Sequence, residues 1–227
     1  MPTELITVLD VNSENEALHI VGQCEGCEWF KIGSQLFTRE GPPVVRALQE
    51  MGKKVMLDLK FHDIPNTVHH SAAAATDLGV NMFTLHAGGG PNMIGDARRA
   101  VDNTETKILA VTVLTSMDEP TWKDSVGIPE APAETVVRWA KMAVDAGAHG
   151  IVCSPHEIKI VRDAIGDDAL IVTPGIRPVW STKDDQARIM TPQQASEFGA
   201  THIVVGRPIL NHENPAEAVK LVLEEIA

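Results

Sequence analysis

The sequence predicts an α/β fold, a single (β/α)8 TIM barrel in which a ring of parallel strands lies inside a ring of helices. Three observations carry that expectation. Short apolar runs alternate with helical segments about eight times along the 227 residues, at the spacing of strand-helix units. No linker or composition shift interrupts the series, so residues 1–227 read as one domain. Charged and polar residues collect at the ends of the apolar runs, where such a barrel presents its chemistry.

The first strand is Leu5 to Leu9, followed by Asp10, and Ser13 caps a helix to about Val21. Trp29 to Gly33 is the second strand, with Lys31 near its end, and Pro42 to Met51 is the next helix. The third strand starts at Val55 with a period of two, so Val55, Leu57 and Leu59 face one way while Met56, Asp58 and Lys60 face the other. Pro65 suits the first turn of a helix that continues through Ala72 to Gly79, which leaves Asp63 in the intervening turn. Asn81 to His86 is the fourth strand, leading through Gly88-Gly89-Gly90 to a helix from Pro91 to about Val101. Lys107 to Leu114 is the fifth, after which Thr115, Ser116 and a loop to Ile128 precede a helix from Ala133 to Ala146 that Gly147 ends. The sixth strand, Gly150 to Cys153, precedes a helix from Pro155 to Ile165. Ala169 to Thr173 is the seventh, followed by Pro174-Gly175-Ile176-Arg177, a polar loop from Val179 to Met190 and a helix begun by Thr191-Pro192. His202 to Val205 is the eighth, ending in Gly206-Arg207, and Pro215 to Ile226 is the last helix. An open doubly wound sheet is the alternative fold, but its first turn is ordinarily glycine-rich, and Leu9-Asp10-Val11-Asn12 has no glycine.

Composition narrows the function classes. Hydrophobic residues make up 44%, ordinary for a globular protein, and no apolar run has the length a membrane span needs. Met1-Pro2-Thr3-Glu4-Leu5 has no basic segment leading into an apolar run, so a cytoplasmic location is expected. Lys and Arg total 19 against 31 Asp and Glu, a net charge of -12 that opposes a nucleic-acid partner. A small anion could still bind where backbone amides and an Arg converge. Cys24, Cys27 and Cys153 are too few for a disulfide framework, and Cys24-Glu25-Gly26-Cys27 lacks the second pair of a zinc set, so free thiols are expected.

The strand ends together present Asp10, Lys31, Asp58, Lys60, His86, Thr115, Cys153, Arg177 and Arg207. Burying several charges at one barrel mouth is tolerable when opposite signs alternate, and Lys31, Asp58, Lys60 and Asp63 offer that alternation. The seventh and eighth strand ends differ in kind. Gly175-Ile176-Arg177 and Val205-Gly206-Arg207 join open amides to a guanidinium where barrels commonly hold a phosphate. The expected substrate is therefore a phosphate monoester whose far end reaches the charged cluster. Taken singly, Asp63 reads equally as a helix cap, Lys31 as a surface lysine, His86 as a packed barrel histidine, and His69-His70 as a solvent-facing or partner-facing pair.

With these residues assembled, the chain resembles the orotidine 5′-monophosphate decarboxylase family. The run Asp58-Leu59-Lys60-Phe61-His62-Asp63-Ile64-Pro65-Asn66-Thr67 matches the family signature. Asp10, Lys31 in Phe30-Lys31-Ile32-Gly33, Thr115 in Leu114-Thr115-Ser116, Pro174-Gly175-Ile176-Arg177 and Val205-Gly206-Arg207 follow in the family's order. The resemblance implies a homodimer free of cofactor and metal, with active sites shared across the interface. It implies that Lys60 stabilises and protonates a carbanion at C6 of the substrate, while Asp58 and Asp63 keep that lysine charged. Lys31 and Asp10 would meet the ribose, Thr115 and Ser116 the base or its loop, and Gln186, Gly206 and Arg207 the phosphate, with Arg177 nearby. Asp63 and Thr67 would serve the partner's site, since so short a turn does not easily fold Asp63 back onto its own Lys60.

Three other functions stand against this one. A magnesium-dependent keto-sugar-phosphate decarboxylase shares the Asp-x-Lys-x-x-Asp run, but needs an acidic ligand on the second strand, where Lys31 stands. A phosphopentose epimerase asks for a His and Asp metal set that does not assemble here. A catalytically dead barrel serving as a binding protein is opposed by the intact Lys31, Asp58, Lys60 and Asp63 set.

Overall fold

The computed structural model describes residues 2–181 and 190–227. Among them, eight parallel strands close into a barrel in sequence order, β8 pairing back with β1. The elements are β1 (Glu4–Val8), α1 (Glu14–Gln23), β2 (Trp29–Gly33), α2 (Ser34–Glu40), α3 (Pro42–Glu50), β3 (Lys54–Phe61), α4 (Pro65–Asp77), β4 (Met82–His86), α5 (Gly90–Ala100) and β5 (Lys107–Val111). They continue with α6 (Pro132–Asp145), β6 (Gly150–Val152), α7 (Ile158–Ile165), β7 (Leu170–Thr173), α8 (Pro192–Glu197), β8 (His202–Val205), α9 (Arg207–Leu210) and α10 (Pro215–Ile226).

Alternation along the strands divides the apolar residues into two layers. Ile6, Val8, Trp29, Met56, Met82, Leu109, Val172 and Val204 pack together inside the ring. Their neighbours in sequence, such as Leu5, Phe30, Leu57, Phe83, Ile108 and Ile203, join the larger core that includes buried helix residues. Both faces of each strand are therefore covered, which is why β1, β7 and β8 read as nearly continuous apolar runs. The expected caps are present. Ser13 accepts a hydrogen bond from the Glu16 N–H, Thr191 from that of Gln194, and prolines occupy the first turn of α3, α4 and α10.

Several boundaries differ from expectation for physical reasons. Helix α2 follows β2 directly, with Gly33 at its N-cap and no side-chain cap, so its start carries no sequence mark. The fifth strand ends at Val111 instead of Leu114, because its neighbours stop: His86 of β4 pairs with Val111, and β6 ends at Val152. The following loop contains a turn of π-helix at Thr121–Val126, and a 3-10 turn at Pro155–Glu157 precedes α7. Among the described residues no helix is long and apolar enough to cross a membrane.

Two histidines at the amino-terminal side of the strands are held neutral. Burial, with Arg98 and Lys107 nearby, pushes His149 down to about 4, and its Nδ1 accepts the Ile108 N–H at 3.0 Å. Burial likewise pushes His202, edge-on to Trp29, down to about 4. A group whose folded-state pKa lies below its unfolded value contributes stability above the unfolded value and loses it as pH falls towards the folded one. Unfolding free energy from urea titrations is therefore expected to drop between about pH 6.5 and 4. His149→Asn keeps an acceptor for the Ile108 N–H without titrating in that range. It should flatten the acid limb by something on the order of 1 kcal/mol, discounted for partial exposure, and an equally steep limb would show that His149 is not held neutral.

Candidate active site

The centre of the site is built by a misfit between two strands. Leu57 of β3 pairs with Phe83 of β4, but the next matched pair is Phe61 with Leu85. Three residues of β3, Asp58 to Lys60, thus lie opposite Thr84 alone. A surplus of two preserves side-chain parity, so Asp58 and Lys60 remain on the inward face. The slack is absorbed at Lys60, whose φ of 53° is left-handed. That conformation costs a non-glycine residue roughly 1–2 kcal/mol. Thr84, fully buried, spans the gap: its hydroxyl accepts the Lys60 N–H at 2.9 Å and donates to Asp58 Oδ1 at 2.8 Å.

Four charges then line up with alternating sign. Lys60 Nζ lies 2.9 Å from both Asp58 oxygens. Lys31 Nζ, from β2, lies 3.3 Å from Asp58 Oδ2 and 3.4 Å from Asp10 Oδ1, just beyond β1. Gly33 leaves room for this line, since a Cβ there would stand 2.9 Å from Lys31 Nζ. Burial pushes the Asp58 carboxyl up, but Lys31, Lys60 and the Thr84 hydroxyl more than offset it and hold the group below the usual carboxylate range.

A cavity of about 550 Å³ opens over this line, within the roughly 300–1,000 Å³ of small-molecule sites. Its wall is apolar where Val8, Met56, Val111, Val152 and Val204 face inward. It is also bordered by Thr115, Cys153, Gly175, Arg177, Gly206 and Arg207, from the ends of β5 to β8. Arg177 is buried, its N–H donating to the Met190 carbonyl at 2.9 Å, and Arg207 opens the short helix α9. One end is thus a carboxylate flanked by ammonium groups, and the other carries two guanidinium groups beside glycine backbone.

Asp10, Lys31, Asp58, Lys60, Thr115, Arg177, Gly206 and Arg207 therefore share one cavity. Ser116 is exposed and does not line it. Asp63 and Thr67, also exposed, lie in the turn after β3 and the first turn of α4, outside the cavity, and Asp63 accepts its neighbour Ile64's N–H at 2.6 Å. Within the chain the fourth member of the alternation is Asp10. Gln186 lies outside the described residues. Thr84 had no sequence signal beyond its inward parity in Met82-Phe83-Thr84-Leu85-His86. His86 is half-buried with its ring 5.2 Å from that of His62, and burial, His62 and Lys60 hold it below the ordinary histidine range. Cys24 and Cys27 are buried free thiols, burial pushing Cys24 up to about 12.

Comparison with known proteins places the chain in a family. Residues 3–222 match the model of the orotidine 5′-phosphate decarboxylase / HUMPS family. An orotidine 5′-phosphate decarboxylase of Heliobacterium modesticaldum is 48% identical over 98% of this chain and 95% of that protein. One from Trichlorobacter lovleyi is 48% identical over 87% of this chain and 83% of its own length. The crystal structure of orotidine 5′-phosphate decarboxylase from Lactobacillus acidophilus superposes with a TM-score of 0.89 at 38% identity, covering 99% of both chains.

Lys31→Ala would leave Asp58 buried with one cation. The variant is expected to lose roughly 1–3 kcal/mol of stability, the pair being open to the cavity on one side, and its Asp58 carboxyl should titrate higher by carbon NMR. An unchanged titration would show that the Lys31 charge does not reach Asp58.

Proposed function

Because the chain belongs to the orotidine 5′-phosphate decarboxylase / HUMPS family, we propose that it is a carboxy-lyase converting orotidine 5′-monophosphate to uridine 5′-monophosphate, the last step of de novo pyrimidine synthesis. The observation that carries the reading is the pair of Asp58 and Lys60, a buried carboxylate and an ammonium 2.9 Å apart, lining a cavity that Arg177 and Arg207 also line.

Loss of carbon dioxide from C6 leaves a lone pair orthogonal to the pyrimidine π system, so the ring offers no ordinary electron sink. The reading therefore assigns the stabilisation to electrostatics. The Lys60 ammonium is worth more against the developing carbanion than against the starting carboxylate, and it delivers the proton that completes the product. Asp58 holds that ammonium in place and keeps it charged, while Lys31 balances Asp58 and, with Asp10, meets the ribose. Asp58 also faces the substrate carboxylate, a repulsion to which we assign the smaller share. Arg207 and Gly206, with Arg177 beside them, grip the phosphate, and Thr115 borders the base. Binding energy from that remote dianion excludes water and so strengthens each interaction at C6.

The reading extends to one domain, a cytoplasmic setting and a homodimer. Asp63 and Thr67 stand outside their own cavity at the barrel mouth, which supports their reaching the partner's Lys60 across a twofold interface. The magnesium-dependent rival asks for an acidic ligand where Lys31 stands, 3.3 Å from Asp58.

The direct test is ultraviolet loss of orotidine 5′-monophosphate by purified, chelator-treated protein. Turnover is expected, and Lys60→Ala should abolish it while remaining folded. Retention of more than about a tenth of kcat, some 1.4 kcal/mol or less of lost barrier reduction, would remove Lys60 from its role. Magnesium-dependent turnover of a keto-sugar phosphate would put the rival first.

Sharing of the site is tested by mixing. Lys60→Ala and Asp63→Ala proteins should each be nearly inactive, but a mixed dimer has one intact site. Random reassociation of equal amounts makes about half the dimers mixed and restores about a quarter of wild-type activity. An inactive mixture in which mass spectrometry detects mixed dimers would mean that Asp63 serves its own subunit.

A further inference from the structure

We propose that Thr84 is a positioning residue for the decarboxylation, holding the Lys60 backbone and the Asp58 carboxylate in the one relation the chemistry uses; its kinetic part rests on the decarboxylase reading above. Thr84 does not line the cavity, so it acts through the residues it holds.

Lys60 departs from its strand where the ladder between β3 and β4 is interrupted, and its left-handed backbone is the direction taken by the slack. At this point a side chain replaces the strand ladder: the Lys60 N–H is taken by the Thr84 hydroxyl at 2.9 Å. The same oxygen donates its single proton to Asp58 Oδ1 at 2.8 Å, an atom that accepts only. The roles are thereby fixed without ambiguity, donor towards the carboxylate and acceptor towards the amide. Through one oxygen, the start of the lysine side chain and one end of the carboxylate are tied together, while Lys60 Nζ closes the loop at 2.9 Å from both carboxylate oxygens.

This ring of contacts gives the ammonium little latitude. Lys60 is strained, and its side chain is long and 37% exposed, so the position of Nζ depends on where the backbone launches it. Misplacing a reacting group by about 1 Å can cost on the order of 100-fold in rate. Threonine suits the post because its β-branch favours a strand, and its hydroxyl both accepts and donates. Valine has the same shape and neither capacity. The pattern also separates this role from plain packing. Packing would be served by the methyl group, positioning by the hydroxyl.

The test compares Thr84→Val, Thr84→Ala and Thr84→Ser. Val and Ala variants should lose about 10–100-fold in kcat with KM within about threefold, since phosphate and ribose contacts are untouched, and Ser should stay within about threefold of wild type. If the valine variant fails to fold, the Ser and Ala pair decides, since both lack the methyl and differ in the hydroxyl alone. Equal kcat for Ser and Ala would overturn the proposal. Crystal structures of the same pair provide a readout independent of substrate. In the alanine variant Lys60 should leave the left-handed region or its Nζ should move away from Asp58, whereas the serine variant should keep both. Unchanged Lys60 and Asp58 geometry in the alanine variant would overturn the proposal as well. Failure of the wild-type protein to consume orotidine 5′-monophosphate would instead remove the decarboxylase reading, and the crystallographic comparison would still decide Thr84.

Discussion

A carboxylate that is 9% exposed must be answered by charge and hydrogen bonds, and the way Asp58 is answered organises the strand ends around it. Lys31 reaches it from β2 because Gly33 leaves the space, Lys60 reaches it from the same strand, and Thr84 reaches it from β4. Asp10 then balances Lys31. The line contains two carboxylates and two ammonium groups, so its own charges balance. A bound molecule that displaced water from the cavity would lower the local dielectric and strengthen every contact in the line.

How much of this was legible in the sequence depends on what kind of physics fixed each part. The period of two in β3 puts Asp58 and Lys60 on one face, and the irregular register keeps them there because the surplus is even. An odd surplus would have turned Lys60 out of the barrel. The surplus itself left no mark, since a left-handed position is ordinarily betrayed by glycine or asparagine, and here it holds a lysine. The end of β5 was invisible for a related reason: its sequence stays apolar through Leu114, and only the lengths of β4 and β6 stop the pairing. Helix α2 lacks a side-chain cap, and Thr84 is one polar residue in an apolar strand.

The two ends of the cavity also differed in legibility. Gly175-Ile176-Arg177 and Gly206-Arg207 repeat a pattern from one unit to the next, and repetition is visible without coordinates. Asp63 was visible as a charged residue in a turn, and strand periodicity does not encode what a turn residue faces.

The left-handed backbone at Lys60 constrains any attempt to harden this protein against heat. Strained positions are ordinarily attractive targets, because replacing the residue with glycine releases the steric conflict. Here glycine would release it by deleting the ammonium, and asparagine, the other residue tolerant of that conformation, carries no charge. No exchange at the position itself relaxes the chain and keeps the cation. Stabilising changes must therefore be sought away from β3, in helix caps, loops and outer packing, where they can raise the melting temperature without altering the tension stored under the lysine.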